Sequence, residues 1–178
     1  LKNLRKIPGV KKVFVASGLR HDLVLADKKS GVPYLRELVN HHISGQLKIA
    51  PEHAAPNVLR IMGKPLAQKL TDFKKLFEKL NAEEGKKQFL TYYFIAAHPG
   101  CAEEDMRALR TFTGRELKIN PEQVQIFTPL PSTFSALMYW TGIDPFTGKK
   151  IFVEKDTAKK QRQKNILVAE KQRLLRIK

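Results

Sequence analysis

Acidic residues are scarce in this chain: 17 Asp and Glu stand against 33 Lys and Arg, a net charge of +16 over 178 residues. Cysteine and tryptophan occur once each. A single thiol, Cys101, excludes an intrachain disulfide framework and any metal site built only from this chain's cysteines. It points to a reducing, cytoplasmic compartment. No apolar run approaches the roughly 20 residues of a membrane span, and no signal peptide is legible. There is no P-loop, no G-x-G-x-x-G turn and no G-x-S-x-G elbow. Phosphate-loop, dinucleotide and α/β-hydrolase readings therefore lack their motifs.

What is present is a repeated layout. Residues 91–106, TYYFIAAHPGCAEEDM, run from β-branched and aromatic residues through a Pro-Gly breaker into an acidic helix start. That is strand, tight turn, helix, with His98 and Gly100 at the strand's C-terminal end, where α/β folds gather ligands. Residues 10–16 (VKKVFVA), 46–50 and 124–128 (VQIFT) read as three further strands. Helical spacing between them covers residues 34–43, 56–62, 66–80 and 102–118, the last loosened at Gly114. Residues 133–141 form a short helix, and 149–153 a short strand or extended segment. Such β–α alternation implies a parallel α/β sheet with right-handed crossovers, covered on both faces, with an unpaired edge at residues 10–16. The start at Leu1, inside what reads as a helix ending, marks the chain as a piece of a longer protein.

Four polar clusters follow the four strands. They are Ser17, Gly18, Arg20, His21 and Asp22; then Glu52 and His53; then His98, Pro99 and Gly100; then Thr128, Pro131, Ser132 and Thr133. Asp22 read alone is a helix cap. Glu52 suits either ligand hydroxyls or the dipole of the next helical turn. His98 suits either acid–base or metal chemistry, or a loop-packed ring with both nitrogens satisfied. His42 falls on the inward side of its helix. Ser17, His21 and Asp22 lack the surroundings of a nucleophilic triad. The acidic first turn at Glu103, Glu104 and Asp105 argues against phosphate at that helix start.

Half of the net charge sits in residues 149–178, with eleven Lys and Arg against three Asp and Glu. This basic extension, helical or frayed, is expected beyond a domain spanning residues 1–148. It supplies phosphate-contacting charge but lacks interleaved aromatics.

YFIAAHPGCAEEDM, LKIAPEHAAPNVLRIMGK, VQIFTPLPST, FVASGLRHDL and FTPLPSTFSALMYWTGIDPFTGKK together resemble the YgiQ-type branch of the radical SAM family over nearly the whole chain. The resemblance implies the last four βα units of a partial (β/α)6 TIM-like barrel that binds S-adenosylmethionine (SAM) and a [4Fe–4S] cluster. It implies an oxidoreductase-like enzyme acting on an unknown substrate. The CxxxCxxC loop that would hold the cluster is missing, and Cys101 lies in a different unit, so this chain supplies no metal ligand and is expected to be inactive alone. Carried over position by position, Glu52 would meet the SAM ribose or methionyl group. Ile95, His98, Pro99 and Gly100 would form the wall and turn beside the adenine. Phe127, Thr128 and Pro129 would offer backbone groups to its edge. Ser17, Arg20, His21, Asp22 and His53 would face substrate or SAM. No residue is assigned a catalytic role. The alternative is a non-enzymatic basic α/β module that binds RNA or a ribonucleoprotein through its tail.

Overall fold

A computed structural model describes residues 1–168. After a short 3-10 turn at Leu4–Lys6, the elements in order are α1 (His21–Ala26), α2 (Gly31–His41), β1 (Gln46–Glu52), α3 (Pro56–Ile61) and α4 (Ala67–Glu83). They continue with β2 (Phe89–Ala96), α5 (Glu103–Phe112), β3 (Val124–Ile126), α6 (Phe134–Thr141) and α7 (Thr157–Val168). The strands form one sheet in the order β1-β2-β3. β2 and β3 are parallel, with Phe94, Ala96 and Ile95 opposite Val124, Ile126 and Gln125 respectively. The α/β class and the parallel alternation of strand and helix are therefore present, as an open sheet of three strands.

The fourth expected strand, at residues 10–16, does not form. Its backbone groups go elsewhere: Val15 N–H donates to the carbonyl of His42 at 2.9 Å, and the Val13 carbonyl takes Nδ1 of His42 at 2.6 Å. The C-terminal end of α2 thus consumes the groups that a ladder would need. Only Leu19, further on, reaches the sheet, in an isolated parallel bridge to Ile49. Residues 149–153 are extended, with one antiparallel bridge from Lys150 to Ile143. The expectation of a sheet buried on both faces is also corrected. Along β2, Tyr92, Phe94 and Ala96 are buried while Thr91, Tyr93 and Ile95 stay half-exposed.

The chain divides into two compact units. The first comprises Leu1–Ala50 and Gln68–Tyr92. Its core takes Leu35, Leu38 and Val39 from α2, Leu47 and Ile49 from β1, and Leu70, Phe73, Phe77 and Leu80 from α4. The α4 residues recur every three or four positions, so one stripe of the helix is buried. Each such side chain contributes about 1.5–3 kcal/mol. His42, which caps the C-terminal end of α2, is fully buried here, as the apolar spacing leads one to expect.

The second unit comprises Pro51–Ala67 and the residues from Tyr93 onward. Its core collects Val58 and Leu59 of α3, Phe94 and Ala96 of β2, Met106 and Leu109 of α5, Met138 of α6 and Leu167 of α7. α5 begins with Asp105 accepting from the Ala102 N–H at 2.8 Å and ends in a π-turn at Thr113–Leu117, which contains Gly114. α6 is capped by Thr133, whose Oγ1 accepts from Ala136 N–H at 3.1 Å, and closed by Gly142 at φ +67°. α7 packs on α5 and β3. The remainder of the expected basic tail lies outside the described residues. No helix among the described residues is long and apolar enough to cross a membrane.

Candidate functional site

Within the second unit, the C-terminal ends of the strands and the first turn of α6 enclose a cavity of about 260 Å³. Glu52, Ile95, His98, Phe127 and Thr128 line it, together with Tyr93, Gln125, Ile126, Leu130, Thr133 and Ser135. Alternation along β2 presents Tyr93 and Ile95 to it, opposite in direction to the buried Phe94 and Ala96.

Backbone strain reaches the cavity at Glu52 and lies next in sequence to the lining residues His98 and Thr133. Glu52 adopts φ +67°, Ala97 φ +57° and Ser132 φ +61°. Left-handed backbone at non-glycine residues persists where surrounding contacts over-determine it, and it clusters at binding sites. Around Glu52 the contact is the Lys64 ammonium, 3.0 Å from the carboxylate. α3, which follows, carries no side-chain cap, so Glu52 serves no capping role there.

His98 is buried with both ring nitrogens engaged. Its Nδ1–H donates to the Pro99 carbonyl at 2.9 Å, which leaves Nε2 to accept from the Ser135 hydroxyl at 2.9 Å. Its ring meets Phe127 edge-on, with centroids 5.0 Å apart. Burial lowers its pKa, against smaller opposing effects of the Pro99 carbonyl and Glu52. The satisfied-ring reading of His98 therefore holds, and the same residue lines the cavity. Phe127 N–H is spent on the Ala96 carbonyl at 2.8 Å. Tyr93 donates its hydroxyl to Gln125 Oε1 at 2.7 Å across β2 and β3.

The other expected site residues lie elsewhere. Pro99 is buried beneath the turn, and Gly100, at φ +83°, donates its N–H to the Phe152 carbonyl at 2.7 Å. Pro129 lines a separate, open apolar groove along α6, which has no ionisable side chain in its walls. His53 is in the core: Nδ1 accepts from Ala55 N–H at 3.0 Å, and Nε2 faces Cys101 Sγ at 3.5 Å. Burial pushes His53 down to about 4, and burial with Asp105 pushes the Cys101 thiol up to about 12. This pair is neutral and structural rather than reactive.

Ser17, Arg20, His21 and Asp22 belong to the first unit. Ser17 and Arg20 are exposed, and His21 is buried edge-on to Phe73 at 6.0 Å. Asp22 is not a cap. It accepts two hydrogen bonds from the Arg20 guanidinium, at 2.8 and 2.6 Å, and that pairing pulls its pKa down to about 2. Sequence reasoning missed Tyr93, Gln125, Ile126, Leu130 and Ser135. A period-two reading of β2, which sets Tyr93 on the face of Ile95, is the signal that could have found it, whereas nothing local marked Ser135.

No protein-family model matches the chain. It is 59% identical over 94% of its length to a UPF0313 protein of Fusobacterium nucleatum. It is 48% identical over 97% of its length to one of Thermotoga neapolitana and 44% identical over 94% to one of Clostridium perfringens. It spans 29%, 30% and 25% of those relatives.

Proposed function

We propose that this chain, a portion of a UPF0313-type protein, is the C-terminal part of a radical SAM barrel whose strand ends hold the adenosyl half of SAM. The observation that carries this reading is convergence. Five of the residues that the family resemblance assigns to SAM, namely Glu52, Ile95, His98, Phe127 and Thr128, line one cavity.

The chemistry of the lining fits that ligand. Ile95, Ile126 and Phe127 offer apolar surface to the faces of a purine. With its N–H used by Ala96, Phe127 retains a carbonyl that can accept from the amino group of adenine. The Glu52 carboxylate, steadied by Lys64, accepts from ribose hydroxyls. The Pro99 carbonyl and Ser135 hold His98 as a fixed neutral wall.

The iron–sulfur group does not fit this chain. A cluster needs several thiolates. Cys101 is alone, buried and held protonated. The ligands of a cluster therefore belong to polypeptide outside this sequence. SAM held by Glu52, Ile95, His98, Phe127 and Thr128 would supply radical chemistry for hydrogen abstraction in the complete protein. This chain's contribution is to bind, orient and shield the adenosyl group.

The experiment is calorimetric binding of S-adenosylhomocysteine to the complete protein that carries this sequence. Glu52→Gln is expected to weaken binding by roughly tenfold or more, as for loss of a charged hydrogen bond, and Ile95→Arg likewise, because a bulky charged side chain would fill the cavity. Unchanged affinity in both variants, with folding intact, contradicts the assignment.

The alternative reading is RNA binding through the tail, part of whose charge is spent within α7. Lys160 donates to the Tyr139 hydroxyl at 2.7 Å, and Arg162 pairs with Glu103. Those two cations dock the helix.

A further inference from the structure

A second cavity, of about 280 Å³, lies wholly within the first unit. Arg5, Lys11, Lys12, Lys86, Phe14 and Gln88 line it, with the end of α2 completing the wall, and no carboxylate takes part in the lining. Four permanent cations facing one concavity repel one another, so an anion entering it relieves that cost. Lys11, Lys12 and Lys86 are exposed and make no ion pair among the described residues. Arg5 spends one guanidinium nitrogen on Glu37 at 2.8 Å, but its Nε–H is buried without a partner. A buried donor left in that state costs about 1–3 kcal/mol unless something supplies an acceptor.

Two further groups narrow the ligand. Phe14 is 46% exposed, with Lys12 Nζ 6.0 Å from its ring centre. An exposed aromatic among cations is the pairing that takes a base face beside its phosphate. Gln88 donates its amide to the Val39 carbonyl at 2.8 Å, while its Oε1 is buried and has no partner. An unpartnered acceptor next to a phosphate site calls for a hydroxyl donor, which a ribose 2′-hydroxyl provides and deoxyribose lacks.

We propose that this cavity binds single-stranded RNA, with a phosphate on Arg5, Lys11, Lys12 and Lys86, a base on Phe14 and a 2′-hydroxyl on Gln88. The site is independent of the sheet-end cavity and of the basic tail.

The test is fluorescence anisotropy of labelled oligouridine, with the matching deoxy-oligouridine as second probe, on the complete protein across a salt series. Lys11→Glu with Lys12→Glu weakens RNA binding by at least about tenfold and flattens its salt dependence. Phe14→Ala weakens it by roughly tenfold with the salt slope unchanged. Gln88→Met narrows the preference for RNA over DNA. Lys159→Glu with Lys164→Glu, on α7, leaves affinity within about twofold, since these residues lie outside the cavity. The proposal is overturned if RNA does not bind, or if the α7 reversals abolish binding while the Lys11 and Lys12 reversals do not. It is equally overturned if anionic phospholipid vesicles bind more tightly than RNA and lose binding in the same variants.

Discussion

Glu52 combines a left-handed backbone, a half-buried lysine partner and a position at the end of β1. Left-handed φ costs a side-chain-bearing residue about 1–2 kcal/mol. Glycine there removes that cost, gives back about 0.5–1 kcal/mol in unfolded-chain entropy, and forfeits an ion pair worth about 0–1 kcal/mol. These effects nearly cancel. Glu52→Gly is expected to leave the melting temperature within a few degrees while SAM affinity falls; a large drop in melting temperature would make Glu52 a structural residue instead. His53 yields a pH prediction. Its pKa is near 6.5 unfolded and about 4 folded, so between those values the unfolded chain binds a proton that the folded chain refuses. Stability is therefore full above about pH 6.5 and falls as pH drops toward 4, by up to roughly 3 kcal/mol. Denaturant titrations at stepped pH check this, and His53→Gln flattens the dependence. At this scale the sequence was legible where polarity follows a strand, which found Glu52, His98 and Thr128. It was blind to side-chain direction, which sends His53 inward to Cys101 and ties Asp22 to Arg20.

Among the elements, α7 holds the turn that follows β2. Gln163 of α7 is buried; its Oε1 accepts from Ala97 N–H at 3.0 Å and its Nε2 donates to the Cys101 carbonyl at 3.2 Å. One side chain thereby satisfies the strained turn after β2 at both ends. Gln163→Ala leaves two buried backbone groups unpaired, each worth about 1–3 kcal/mol. It is expected to cost roughly 2–4 kcal/mol in chemical denaturation; a loss below about 0.5 kcal/mol, the range of ordinary surface substitutions, would mean that α7 is not needed there. Glycines give a ranked pair. A Cβ on Gly31, at the start of α2, falls 1.9 Å from the Val24 carbonyl oxygen, and backbone cannot yield cheaply. A Cβ on Gly100 falls 2.3 Å from the Ile61 Cδ1, a side-chain end that can move. Gly31→Ala is thus expected to destabilise more than Gly100→Ala, measured by thermal melts. Periodicity located α2 through α6 within a few residues because each buries a stripe or carries an end signal such as Pro56 or Gly142. It missed α1, whose six residues are too few for a period, and it made a strand of residues 10–16. Alternating apolar residues do not reveal that the end of α2 takes their hydrogen bonds.

At the scale of the molecule, charge dominates. A chain at +16 repels itself, and salt screens that repulsion over about 8 Å at physiological ionic strength. The melting temperature is expected to rise by a few degrees from low to physiological salt; a fall would mean that ion pairs such as Arg60 with Asp144 outweigh the repulsion. The relatives share this sequence over a quarter to a third of their length. The α/β class follows from alternation alone, whereas the proposed barrel and cluster depend on polypeptide that no pattern in this chain can supply. The account turns on what occupies the sheet-end cavity. Photolabelling of the complete protein with an 8-azido derivative of S-adenosylhomocysteine, followed by peptide mapping, addresses it directly. Label within residues 93–98 or 125–128, displaced by unmodified S-adenosylhomocysteine and reduced by Glu52→Gln, is the predicted result. Displaceable label that falls wholly outside the residues lining that cavity would contradict it.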